Sequence, residues 1–183
     1  MVLKETPISE LKWHAQPFKL LGVDEEYYSL EDVRGVSGLL VMFICNHCPY
    51  VKAIVSRLII DTKELQTLGI GIVAIMPNAT EIVSEDSYDK MKLFSAQNNF
   101  NFPYVIDKKQ EVTRSYKAVC TPDFFGFNTN LELQYRGRLD DSERNTPKPD
   151  TKRDLFEAML EIKKTGKGPK KQFPSIGCSI KWR

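Results

Sequence analysis

A continuous apolar run, Gly38 to Cys45 (GLLVMFIC), constrains this chain more than any other feature. It has the length of a strand, and a strand without polar alternation must be covered on both faces, as central parallel strands are. Pro49 then suits a first helical position, where its missing N–H would have had no partner. Val51, Ile54, Val55, Leu58 and Ile59 follow at i, i+3, i+4, i+7 and i+8, the stripe of an amphipathic helix ending near Gly69. Ile70 to Met76 is a second apolar run. Residues 38–76 therefore read as a β-α-β unit with parallel strands and a right-handed crossover.

The flanks extend this unit. Phe18 to Leu21 and Tyr27 to Leu30 surround a polar turn and read as an N-terminal β-hairpin, with a helical turn over Leu30 to Arg34. Ser84 to Asn99 reads as a helix with an acidic first turn, Tyr104 to Asp107 as a short strand and Gln110 to Lys117 as a short helix. Asp123 to Asn128 and Glu132 to Leu139 form an antiparallel hairpin about Thr129-Asn130. Thr151 with Asp154 resembles a capping box, before a helix whose apolar face is Leu155, Ala158, Met159 and Ile162. The expected architecture is α/β, a central mixed β-sheet flanked by helices, in a single domain over residues 1–183 with a basic C-terminal tail over 166–183.

Size and composition agree: 183 residues with 42% hydrophobic and 27% charged side chains suit one globular domain. A run of eight apolar residues falls short of the about twenty that a membrane helix needs. The stretch Met1–Pro7 shows no apolar h-region, so a cytoplasmic location and no membrane association are expected. Residues 161–183 carry seven basic groups against Glu161 alone, a solvated basic tail; with no aromatic interleaving, no nucleic-acid partner is expected. Arg136 and Arg138 lie near the last strands and are expected to pair at the surface with Asp140 or Asp141.

The chemistry concentrates in Cys45-Asn46-His47-Cys48-Pro49, at the carboxyl end of the buried strand, where open α/β sheets bind ligands. If Pro49 opens the helix, Cys48 is its N-cap. There its sulfur faces unpaired N–H groups and the positive end of the helix dipole, which favour thiolate over thiol. Cys48 is the candidate nucleophile, expected to be ionised and reachable by solvent. His47 is its neighbour in sequence, which does not fix where the ring points. Cys45 reads equally as a redox partner or a small buried residue. A zinc site built from Cys45 and Cys48 with Cys120, Cys178, His47 or His14 is the competing chemistry, but no second C-x-x-C pair accompanies it. The expectation is no metal and no cofactor.

These residues resemble the thioredoxin-like superfamily, and more closely its peroxiredoxin-like branch, related to alkyl hydroperoxide reductase and the thiol-specific antioxidant proteins. The likeness is carried by Phe43–Val51 (FICNHCPYV), Ser84-Glu-Asp-Ser87 with Met91, Cys120–Phe125 (CTPDFF), Tyr135-Arg-Gly-Arg138 and Gly177–Trp182 (GCSIKW), spread over nearly the whole chain. The resemblance implies a thioredoxin-like fold and a cis Thr121–Pro122 bond. It also implies that the Thr121-Pro122 loop lies against the reactive Cys and offers its backbone to substrate, with Cys120 near Cys48. Two departures stand out. Where a thioredoxin site has its second Cys, this chain has Val51, and no P-x-x-x-T/S-x-x-C peroxidatic motif occurs.

Three functions remain open. The first is thiol–disulfide exchange, in which Cys48 attacks a protein or small-molecule disulfide and Cys45 or Cys120 resolves the mixed disulfide, with Thr121, Pro122 and His47 contacting substrate. The second is a thiol peroxidase or antioxidant activity on peroxides. Either would draw on a thiol reductant such as thioredoxin or glutathione. The third is a redox-responsive domain without turnover. Cys178 lies beyond the last helix, where Ile176, Ile180 and Trp182 suggest that the tail folds back over the core; a resolving role is open to it, without support from spacing.

Overall fold

The computed structural model describes residues 2–7 and 13–183; Met1, the first residue of the N-terminal stretch considered above, lies outside them. Two sheets carry the fold. The larger has seven strands in the order β3-β2-β6-β5-β4-β8-β9: β2 (Lys19–Gly22), β3 (Tyr27–Ser29), β4 (Gly38–Phe43), β5 (Ile70–Met76), β6 (Tyr104–Ile106), β8 (Asp123–Phe127) and β9 (Leu133–Gly137). The smaller joins β1 (Leu3–Glu5), β10 (Ile176–Ser179) and β7 (Cys120–Thr121), all antiparallel.

The expected β-α-β unit is present. β4 and β5 run parallel in register from Gly38↔Ile70 to Phe43↔Ile75, joined by α2 (Pro49–Thr67). β5 also pairs parallel with β6, and the remaining pairings of the large sheet are antiparallel. Every residue of β4 is buried, and alternation sorts its side chains between two cores. Leu40, Met42 and Ile44 join the cluster beneath α2 and α5 (Asp154–Thr165), with Leu58, Leu155 and Met159. Leu39, Val41 and Phe43 join the opposite one, with Phe125, Phe127 and Tyr116. Leu58 is fully buried, and such a side chain contributes about 1.5–3 kcal/mol by leaving water. Gly69, at φ +82°, ends the chain's path out of α2 in a conformation that a Cβ would strain.

The hairpin of β2 and β3 and the turn α1 (Leu30–Val33) follow the sequence reading. Four local expectations are corrected. The helix expected over Ser84–Asn99 is divided at Ser87 into a single 3₁₀ turn, Ser84–Asp86, and α3 (Tyr88–Gln97), because Asp86 is drawn into the buried site. The short helix near residue 110 is confined to α4 (Glu111–Ser115), since Gln110 takes a left-handed conformation. The Thr151–Asp154 capping box does not form: Thr151 Oγ1 accepts the Lys148 N–H, Asp154 accepts Arg138 Nε at 2.7 Å, and Arg153 stands at the N-cap. Arg136 pairs inside the protein with Asp123, at 2.8 Å, while Arg138 pairs with Asp154 and Glu143 and Asp140 with Arg57. Strand alternation sends Arg136 and Arg138 to the same side, but only the neighbours show which side is covered.

The tail folds back, as Ile180 and Trp182 suggested, and does so as a strand. β10 pairs Cys178 with Thr121 on one side and with Leu3 on the other. Beyond it, the Ala79 N–H donates to Lys181 O, the Arg183 N–H to Gln110 Oε1, and the Arg114 guanidinium stacks 4.5 Å from the Trp182 ring. No described helix is long and apolar enough to cross a membrane.

Candidate functional site

The end of β4 delivers Cys45 to Cys48 to the N-terminus of α2, where Cys48 is the N-cap and Pro49 the first helical residue, as the sequence required. The Thr121–Pro122 bond is cis, and its loop lies against Cys48. The Cys48 sulfur lies 3.1 Å from the Thr121 carbonyl oxygen and 3.0 Å from the sulfur of Cys178. Cys45 sits deeper, 3.2 Å from the Thr121 hydroxyl and 3.5 Å from His47 Nδ1.

Asp86 organises the loop before Cys48. Its Oδ1 accepts the backbone N–H groups of Asn46 and His47 at 2.9 and 3.1 Å; its Oδ2 accepts Asn78 Nδ2 at 2.8 Å and lies 2.7 Å from His47 Nδ1. Against the desolvation that burial imposes, hydrogen bonds from His47 and Asn78 hold the Asp86 carboxyl below the usual carboxylate range. The carboxylate is therefore ionised, which makes His47 Nδ1 the N–H that donates to it. Tyr104 donates to Asn46 Oδ1 at 2.9 Å, so the turn is tied to β6 as well.

These contacts divide the thiols into unlike members. A hydrogen bond from Cys45 is the largest influence on Cys48; with further donation from Cys178, the Val51 N–H and Thr121, it outweighs desolvation and lowers the Cys48 pKa to about 5. Burial and donation to Cys48 push Cys45 well above the ordinary thiol range, and the same two causes push Cys178 up to about 12. Cys120 is raised chiefly by burial, and its sulfur turns to the Pro122 carbonyl at 3.5 Å, within its own loop. At neutral pH the arrangement holds one thiolate with thiol donors around it, which suits a nucleophile with a resolving partner in reach.

The Cys48 pKa is lowered, in the direction expected of this position, but its expected contact with solvent is not found: it is 0% exposed, covered by the Thr121-Pro122 loop and by β10. Of the residues expected to meet substrate, Thr121 lies at the Cys48 sulfur with Pro122 next to it across the cis bond, and His47 is partly exposed with its ring against Cys45 and Asp86. One ligand atom each from Cys45, His47 and Asp86 falls within 4.8 Å of the others, so the zinc set drawn from the sequence is not the one assembled here. These three are already joined by hydrogen bonds, and His14 is exposed, bridged through its backbone to Glu132.

Sequence reasoning overlooked Asp86, Asn78 and the placement of Cys178. Asp86 and Cys178 both fall in segments that carry the family resemblance, so a signal existed for them; Asn78 had none. Gly177 shows why the segment fits so closely: a Cβ there would lie 2.1 Å from the Thr121 carbonyl oxygen.

Solved structures share this fold. A structure of an uncharacterized conserved protein from Geobacillus kaustophilus is 40% identical, covers 100% of this chain and 97% of its own, and superposes with a TM-score of 0.94. A hypothetical protein from Sinorhizobium meliloti is 32% identical over 98% of this chain and 97% of its own, with a TM-score of 0.91. A secreted disulfide oxidoreductase from Mycobacterium tuberculosis shares the fold at 14% identity, over 79% of this chain and 95% of its own, with a TM-score of 0.59. No curated protein matches the sequence. The AhpC/TSA family model matches residues 12–139, from ahead of the N-terminal hairpin to the end of the last strand pair of the large sheet. With a thioredoxin-like fold and a cysteine at the head of its first long helix, the chain belongs to the AhpC/TSA family.

Proposed function

We propose that this protein is a thiol–disulfide oxidoreductase in which the Cys48 thiolate attacks a disulfide of a protein or small molecule. The observation that carries this reading is the Cys48 sulfur, drawn down to a pKa of about 5 at the head of α2 and set against the Thr121–Pro122 loop. A thiolate at neutral pH is the attacking species in exchange, and its own low pKa also makes it a good leaving group when a thiol reductant attacks the partner sulfur of an intramolecular disulfide and reopens it. Thr121, Pro122 and the half-buried His47 are the groups that an incoming disulfide meets. Because Cys48 is closed off, attack requires a local opening of the β10 segment or of the loop held by Asp86. The oxidised enzyme is returned to its thiols by a thiol reductant of the thioredoxin or glutathione kind, in a reducing compartment such as the cytoplasm.

The test is reduction of insulin or of a small aromatic disulfide by the wild-type chain and by Cys48→Ser. Loss of turnover in Cys48→Ser is expected, and full activity in that variant would defeat the assignment. Peroxide reduction is the competing activity within the same family. A Cys48 sulfenate that forms with peroxide no faster than in free cysteine would set it aside, and a much faster one would replace the exchange reading.

A further inference from the structure

Resting on the exchange reading, we infer that Cys178 is the resolving cysteine, so that the catalytic pair is Cys48–Cys178, carried by the head of α2 and by β10. Two independent features place it there. The sulfurs lie 3.0 Å apart, closer than non-bonded sulfur atoms normally sit and one short movement from a bond of about 2.05 Å. The backbone holds them so: Cys178 is in antiparallel register with Thr121, whose carbonyl oxygen is 3.1 Å from the Cys48 sulfur. That register is secured on the far side by β1, through Leu3↔Cys178, and by the Ser175 hydroxyl, which donates to Pro122 O at 2.8 Å.

Cys45 and Cys120 each have further partners of their own. Cys45 donates to the Cys48 sulfur and is held by Thr121 Oγ1 and His47, the position of a group that tunes the thiolate. Cys120 points its sulfur at the Pro122 carbonyl. Cys45 is therefore a positioning residue and Cys178 the second reactant.

Cys48–S⁻ attacks one sulfur of the substrate disulfide R–S–S–R′; a Cys48–S–S–R bond forms and R′–S⁻ leaves. Cys178 gives its proton to the leaving R′–S⁻ and attacks the Cys48 sulfur. The Cys48–Cys178 disulfide forms and R–S⁻ leaves, taking a proton from solvent at neutral pH. Two protein thiols are oxidised and one substrate disulfide is reduced by two electrons. Opening at β10 admits the substrate, and its return to the Thr121 edge brings the resolving thiol back to the reacting sulfur.

The deciding experiment treats the reduced full-length chain with oxidised glutathione, then maps disulfides by mass spectrometry after blocking free thiols. The wild-type chain should yield an intramolecular 48–178 linkage. Cys178→Ser should instead accumulate a glutathione adduct on Cys48 and lose at least tenfold in steady-state turnover, whereas Cys45→Ser should still form the 48–178 linkage. A 45–48 or 48–120 linkage in the wild-type chain would overturn the assignment of Cys178. So would turnover in Cys178→Ser at the wild-type rate. A chain in which no variant forms an adduct on Cys48 would overturn the exchange reading itself and this inference with it. Wild-type mapping does not depend on how well any variant folds.

Discussion

His47 and Asp86 share a 2.7 Å contact beneath the Cys45–Cys48 loop, and the same carboxylate accepts the backbone N–H groups of Asn46 and His47. One buried side chain therefore satisfies the polar groups of a turn that would otherwise have to be solvated. Asp86→Ala leaves two backbone donors and Asn78 Nδ2 without their acceptor. A loss of about 2–4 kcal/mol is expected in urea unfolding, with a smaller loss for Asp86→Asn, which keeps one acceptor oxygen. A change below about 0.5 kcal/mol in Asp86→Ala would mean that the loop is held by other contacts.

Thiolate absorbance in the ultraviolet, taken as the difference between the wild-type chain and Cys48→Ser, should titrate with a midpoint near pH 5 instead of the ordinary 9.0. The same shift makes stability depend on pH. Cys48 is an acid whose folded pKa lies below its unfolded value, so its contribution is complete above about pH 9 and fades as the pH falls through about 5. Cys45 and Cys178 are raised, so they favour the folded state below about pH 9 and withdraw that contribution only above it. Between pH 5 and 9, Cys48 is the cysteine that sets the slope, and Cys48→Ser should flatten it.

Cys45→Ala removes the hydrogen bond with the largest influence on the Cys48 thiolate. A hydrogen bond to a charged group contributes about 1.5–3 kcal/mol, so the Cys48 midpoint should rise by about one to two pH units. Cys45→Ser, which retains a donor, should recover part of the shift. An unchanged midpoint in both variants would show that Cys178 and the helix terminus suffice.

Gly177→Ala places a Cβ 2.1 Å from the Thr121 carbonyl oxygen, which pushes β10 off β7. Overpacking of this kind costs about 1–3 kcal/mol, and the midpoint of Cys48 should rise as the Cys178 donor moves away. Thermal unfolding and the thiolate titration read the two effects separately.

Arg136 and Asp123 form a buried pair in which burial raises the Asp123 carboxyl pKa and the guanidinium opposes that rise. Arg136→Met leaves the acid without its cation and should destabilise by about 3–5 kcal/mol, while adding Asp123→Asn should recover much of the loss. Equilibrium unfolding of the single and double variants measures this.

The parts of the molecule legible in the sequence are those with a local rule. The stripe from Val51 to Ile59 and the uninterrupted runs of β4 and β5 each identify themselves within ten residues, and Pro49 after Cys48 fixes where the helix dipole points. What was illegible depends on distant partners. The Thr151–Asp154 box fails because Arg138 captures Asp154, and nothing in strand alternation says that Arg136 turns towards Asp123. β10 contains Gly177 and Cys178 in a four-residue strand that shows no apolar alternation, and it forms because β1 and β7 offer edges on either side. The Cys48–Cys178 contact spans 130 residues of sequence, beyond the reach of any spacing rule.

The three-stranded sheet of β1, β10 and β7 makes reactivity a product of completed folding. The sulfur at the head of α2 acquires its full set of donors only when segments near residues 3, 86, 121 and 178 have all arrived. An unfolded chain carries an ordinary thiol at this position, whereas a folded chain with β10 alone opened keeps the Cys45 and Val51 donors at the head of α2 and loses only that of Cys178.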